Sequence, residues 1–189
     1  MRVLIAEDEA LIRMDLREML TEQGHEVVGE ARDGAEAIAL TREFRPEVVF
    51  MDINMPGVNG IEAAEVIGNE RLAPVVMVTA FSQAAYIEQA AAAGAMAYVV
   101  KPFSRSDILP AMALAAARFA EATALADEVA DLTERLETRK IVDRAKGILM
   151  ARGRTEAEAF KALQKLAMDR RKTLREIAEA VVLASEADA

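Results

Sequence analysis

The residues of this chain best equipped for chemistry are acids and the groups that could serve them. Glu7 and Asp8 stand side by side just after the short run RVLIA, and Asp52 closes a second run, VVFM. Thr79 and Lys101 close two more. Adjacent carboxylates repel, and holding them together is costly unless a divalent cation neutralises them. Hard oxygen ligands with room for water suit Mg²⁺. An ionised aspartate beside that cation can attack phosphorus and form an acyl phosphate, covalent chemistry in which the protein itself is the acceptor. A lysine and a hydroxyl nearby would neutralise and hydrogen-bond the phosphoryl oxygens. Taken singly, each residue is ordinary: strand-end acids are mostly solvated, and a lone Thr or Lys there mostly caps a helix or faces water. The weight lies in the convergence of five compatible groups.

The elements that must bring them together are legible from periodicity. Runs at 2–6, 27–30, 48–51, 75–78 and 98–100 are rich in β-branched residues and too short for helices. Helical patterns lie between them near 10–23, 34–44, 59–70 and 83–93, with Gly24 and Gly94 where helix ends favour positive φ. Strands alternating with helices predict a five-stranded parallel, doubly wound sheet of the flavodoxin-like α/β class, covered on both faces. Sites in such sheets lie outside the carboxyl ends of the strands, where the five groups fall.

Composition bounds the rest. The 189 residues include no Cys and one His, His25, so disulfides, thiolate metal sites and multi-histidine sites are excluded. The N-terminus has no signal-peptide pattern, and no apolar stretch approaches the ~20 residues of a membrane span. A soluble, cytoplasmic protein is expected, with no membrane partner. The net charge of −9 is unevenly spread. Residues 1–118 carry 10 basic and 18 acidic groups, whereas residues 138–175 carry 12 basic and 4 acidic. An acidic domain followed by a basic one suggests two jobs on one chain.

Beyond Lys101-Pro102, Ser104 or Ser106 with Asp107 forms a helix-start signal, and Pro110 should loosen the first turns. From Ala111 to about Arg139 there is neither Gly nor Pro, and Leu125, Val129, Leu132 and Leu136 alternate spacings of four and three, a short coiled-coil seam. Three helices are predicted after it, near 140–151, 156–168 and 173–184. Thr155 with Glu158 and Thr173 with Glu176 make capping boxes for the last two. Arg170-Arg171-Lys172 falls on the turn between them, where it can reach phosphates without burying charge. The final third holds no Gly-rich phosphate loop, no metal-ligand cluster and no nucleophile–base pair, which argues against an enzymatic output. A helix-turn-helix beginning at Leu174 has no room for a recognition helix in the 11 residues after Ala178. Two outputs stay open: nucleic-acid binding, and a helical protein-binding or dimerisation bundle.

Residues 1–118 resemble the receiver domain of bacterial response regulators. That resemblance implies that Asp52 is the phosphoacceptor, that Asp8, Asp52 and the backbone carbonyl of Asn54 bind Mg²⁺ with Glu7 completing the acidic pocket, and that Thr79 and Lys101 engage the phosphoryl group. It also implies that Tyr98 follows Thr79 as a switch, that Lys101–Pro102 is cis, and that a sensor histidine kinase is the donor. Glu7 departs from the Asp of many relatives, and its longer arm would adjust metal affinity or phosphoryl lifetime.

The stretch AKGILM at 145–150, followed by Glu158-Ala159-Phe160, Ala167-Met168 and Ile177-Ala178, resembles the ANTAR domain, an RNA-binding antitermination module. The expected organisation is a receiver at 1–118, a connecting coiled-coil helix at 119–138 and an ANTAR module at 139–185. Its implied partner is structured RNA, a hairpin leader, met by Lys146, Arg170, Arg171 and Lys172. A homodimer linked to phosphorylation is expected, and the whole resembles the antitermination regulators of actinobacteria. Arg170-Arg171-Lys172 departs from the more polar turn of many relatives.

Overall fold

The computed structural model describes residues 1–80 and 93–187. The helix expected near 83–93 lies, but for its last residue, outside them. By contacts the chain divides into two units, Met1–Ala124 and Leu125–Ala189.

The first unit is the expected parallel sheet. Strands β1 (Arg2–Ala6), β2 (Glu26–Ala31), β3 (Val48–Asp52), β4 (Val75–Thr79) and β5 (Ala97–Val100) lie in the order β2-β1-β3-β4-β5, every pairing parallel. Helices α1 (Ala10–Glu22), α2 (Gly34–Phe44) and α3 (Gly60–Asn69) come between them. Because side chains alternate along a strand, the sheet makes two cores. Leu4, Val49, Met51 and Met77 pack with Ala63 and Ile67 on one face. Val3, Ile5, Phe50 and Val76 pack with Leu16 and Leu20 on the other. Asp33 and Asn59 cap α2 and α3 by accepting the backbone N–H of Glu36 and Glu62. Gly24 and Gly94 take the positive φ expected of them, at 79° and 86°.

Helix α4 runs unbroken from Arg105 to Ala151, 47 residues, and so joins what the sequence divided into a connecting helix and the first helix of the module. The reason is local: between Ala111 and Gly147 nothing removes an N–H or favours positive φ, so propagation is unopposed. Pro110 is accommodated inside the helix, near its start and on an exposed face. Gly153, at φ 91°, ends the run, its N–H donating to Met150 O at 2.9 Å. The expectation that no stretch suits a membrane span fails here, since α4 passes by length and composition. Its apolarity comes largely from alanine. Ile108, Met112 and Ala115, near its start, are buried against the sheet.

The second unit combines the end of α4 with α5 (Glu156–Arg170) and α6 (Leu174–Ala187) around Val142, Ala145, Leu163, Ile177, Ala178 and Val182. Both capping boxes form: Thr155 and Glu158 bond reciprocally, as do Thr173 and Glu176. Helix α5 extends two residues beyond the expected end. Arg170 is therefore its last helical residue rather than part of the turn, and Arg171 is the left-handed cap at φ 52°.

Candidate functional site

Parallel pairing aligns the strand ends that carry the candidate residues. Ala6 pairs with Met51, Asp52 with Val78, and Thr79 with Val100, so Glu7-Asp8, Asp52, Thr79 and Lys101 come off four neighbouring strands at one edge. The chain order reverses between β2-β1 and β3, which opens a crevice there.

Three carboxylates meet at that edge. One oxygen each from Glu7, Asp8 and Asp52 lie within 4.8 Å of one another. Glu7 and Asp52 are buried, at 1% and 5% exposure, and Asp8 is exposed. Lys101 Nζ stands 2.7 Å from Glu7 Oε2 and 3.2 Å from Asp52 Oδ1. Burial pushes the Glu7 carboxyl above its ordinary range, with Lys101 opposing and Asp52 adding to the rise. Burial likewise raises Asp52, against the pull of Lys101 and the Ile53 N–H. Burial also works against the charge of Lys101, but Glu7 and Asp52 together hold its ammonium above the usual lysine value.

A single lysine does not balance three carboxylates. Glu7 Oε2 is buried, and its charged neighbour is the Lys101 ammonium at 2.7 Å. An oxygen-only donor set of three carboxylates with one lysine between two of them fits a hard divalent cation.

The supporting residues were not singled out by sequence. Arg13, one turn into α1, donates to the backbone carbonyls of Glu7 at 2.6 Å and Asp8 at 3.3 Å, and pairs with Glu30 at 3.2 Å. It fixes the acidic loop from outside. Its spacing from the acid pair was the available signal. Gly60 holds the loop after Asp52: its N–H donates to Ile53 O at 3.0 Å, and a Cβ there would fall 1.8 Å from Asp52 O. Only glycine permits that approach.

Thr79 is buried, and the Lys101 N–H donates to its carbonyl at 2.7 Å. The Lys101–Pro102 peptide is cis, as the resemblance implied. Asn54 is exposed in the loop two residues past Asp52, and Tyr98 on β5 is 48% exposed.

The basic unit is built differently. Lys146 is 18% exposed and held by Asp143 and Glu156, each at 2.8 Å. Lys172 reaches Glu176 at 3.5 Å. Arg170 and Arg171 are exposed and carry no ion pair among the described residues.

Two family models match: the response regulator receiver domain over residues 3–113 and the ANTAR domain over residues 130–182. The chain belongs to the response regulators that join a receiver domain to an ANTAR domain. It is 59% identical over 182 residues to the transcriptional regulatory protein PdtaR of Mycobacterium tuberculosis, covering 96% of this chain and 89% of that protein. Among solved structures, the receiver domain of the putative response regulator NarL from M. tuberculosis aligns with TM-score 0.59 and 32% identity, over 61% of this chain and 94% of that one. The CheX–CheY–BeF₃–Mg²⁺ complex of Borrelia burgdorferi aligns with TM-score 0.55 and 27% identity, over 58% and 84%. In this response regulator the acidic cluster therefore occupies a receiver domain, and the basic helices an ANTAR domain.

Proposed function

We propose that this response regulator accepts a phosphoryl group on Asp52 and thereby controls RNA binding by its ANTAR domain, and through it transcription antitermination. The observation that carries the first half is the cluster of Glu7, Asp8 and Asp52 within 4.8 Å, with Lys101 against two of its members. Receiver domains bind Mg²⁺ at such a pocket, and the relative from B. burgdorferi is a complex with BeF₃ and Mg²⁺. Glu7, Asp8, Asp52 and the Asn54 carbonyl would hold the ion here. When bound it would neutralise the carboxylates and the incoming phosphoryl oxygens. An Asp52 oxygen attacks phosphorus as the P–N bond to the kinase histidine breaks, and that bond's electron pair leaves with the imidazole. Lys101 exchanges part of its contact with Asp52 for a phosphoryl oxygen, and Thr79 hydrogen-bonds another. Tyr98, half exposed, then follows Thr79 inward.

Receiver domains pair with histidine kinases and ANTAR domains bind RNA. The concentration of positive charge in residues 138–175 of a chain of net −9 supports a structured RNA, a hairpin leader, as the partner of the second unit. Leu125, Val129, Leu132 and Leu136, each more than half exposed on one face of α4, support pairing with a second copy. The output so read is non-enzymatic, and the setting cytoplasmic.

Phosphoryl incorporation from a small-molecule donor in Mg²⁺ tests the acceptor. Asp52→Asn keeps the shape and removes the nucleophile, so incorporation should vanish. Label retained in that variant would move the acceptor elsewhere.

A further inference from the structure

Strand β2 contributes none of the acidic site's side chains, yet its last two residues hold the turn that carries two of them. Ala6 pairs with Ala31 where the β1–β2 ladder ends, and Ala31 O accepts the Glu7 N–H at 3.0 Å. Glu30, one residue earlier, directs its carboxylate to α1. There Oε2 accepts from Arg13 Nε and Oε1 from Arg17 Nη1, both at 3.2 Å. Arg13 extends its other arm to the turn, Nη1 donating to the carbonyls of Glu7 at 2.6 Å and Asp8 at 3.3 Å. It is the more enclosed of the two arginines, its side chain 11% exposed against 56% for Arg17. The turn is thus gripped by an N–H on β2, and by its carbonyls through a guanidinium anchored on the same strand.

Glu7 and Asp52 are buried and held by what surrounds them, whereas Asp8 is exposed. The direction of the Asp8 carboxylate is therefore set by the backbone beneath it rather than by packing. We infer that Arg13 and Glu30 are positioning residues for a divalent cation at the acidic cluster, Arg13 through the two carbonyls and Glu30 through Arg13. The inference rests on the reading of that cluster as a Mg²⁺ site and extends it to two residues outside the cluster. Groups that orient the ligands of a metal typically change its affinity by about 10–100-fold when removed. Charge and geometry predict opposite signs here. As a charge, Arg13 repels a cation at the cluster, so its loss should tighten binding. As a support, its loss frees the turn and should weaken binding. Lysine keeps the charge but lacks the planar fork that serves two carbonyls and a carboxylate at once, so it separates the two roles.

The probe is Mn²⁺, which suits the same carboxylate and carbonyl ligands as Mg²⁺. Its free form is counted by electron paramagnetic resonance, with Mg²⁺ as competitor. The full chain is stripped with a chelator, and each variant is titrated well below its metal-free melting temperature, with circular dichroism verifying the fold. Arg13→Ala should weaken binding of both cations by about 10–100-fold, and Arg13→Lys should weaken it less but in the same direction. Glu30→Gln should weaken binding too. The double variant, Arg13→Ala with Glu30→Gln, should bind no worse than Arg13→Ala alone, because one residue acts through the other. Arg17→Ala, which removes only the outer arm on Glu30, should bind as the wild type does. Folded Arg13→Ala and Arg13→Lys variants that bind as tightly as the wild type, or tighter, would overturn the inference and leave the Mg²⁺ site in place. Additive losses in the double variant would overturn the part assigned to Glu30. A wild type that binds neither cation would sink the Mg²⁺ reading itself, and this inference with it.

Discussion

The two ends of this molecule handle charge in opposite ways. At the receiver's sheet edge, Glu7 and Asp52 are buried, share one lysine and are pushed toward protonation by burial. In the ANTAR unit, Arg170 and Arg171 stand exposed with no ion pair among the described residues. The first arrangement stores electrostatic cost at a fixed point, which a cation and a phosphoryl group can relieve. The second stores almost none, and its cations act on whatever anion approaches, so their effect depends on how many are presented together. Lys146 shows the contrast inside the basic unit itself. Although it lies within the motif stretch, it is locked between Asp143 and Glu156.

The largest expected effect breaks the presentation of two basic units together. Burying each of Leu125, Val129, Leu132 and Leu136 in a seam contributes roughly 1.5–3 kcal/mol. Val129→Glu with Leu132→Glu should therefore leave the phosphorylated chain monomeric in sedimentation. An unchanged dimer would place the interface elsewhere.

A smaller effect separates free cations from paired ones. Arg170→Ala with Arg171→Ala should weaken RNA binding and lower its salt dependence by about one unit for each lost phosphate contact. Helical content should hold, since both side chains are exposed. Lys146→Ala should change the salt dependence less, because its ammonium already has two partners, and equal slopes for the two variants would erase the distinction.

The smallest effect concerns the buried end. Glu7 has a folded-state pKa above its unfolded value. Between those two values the folded protein holds a proton that the unfolded chain has already lost. Without metal, its contribution favours folding below the unfolded pKa and fades as pH rises through the folded one. Glu7→Gln should accordingly raise the metal-free melting temperature above the folded-state pKa and flatten its fall as pH rises past the ordinary carboxylate pKa. A lower melting temperature would mean that the Lys101 contact outweighs the burial cost.

The five parallel strands and the site edge were legible because the strands are short apolar runs and the chemistry sits where each run stops. Thr79 and Lys101 could be located from that rule alone. Arg13 and Gly60 were not, because both act through backbone carbonyls, which leave no pattern in the side-chain sequence. The single helix from Arg105 to Ala151 was divided in the sequence reading because a domain boundary was expected where the composition changed, yet composition does not end a helix. The place of Arg170 was missed by two residues, the usual uncertainty of a helix end set by a left-handed cap at a residue other than glycine.

The central claim, that chemistry at Asp52 governs charge at the other end of the chain, is tested most directly by RNA affinity. The full chain and its Asp52→Asn variant are titrated against a pool of RNA hairpins in Mg²⁺, each with and without acetyl phosphate. The expected result is tighter binding by the treated wild type, up to about 10²–10⁴ where two basic units engage together, and no response in the variant. Equal affinity in all four titrations, with phosphorylation of the wild type verified by intact mass, would contradict it.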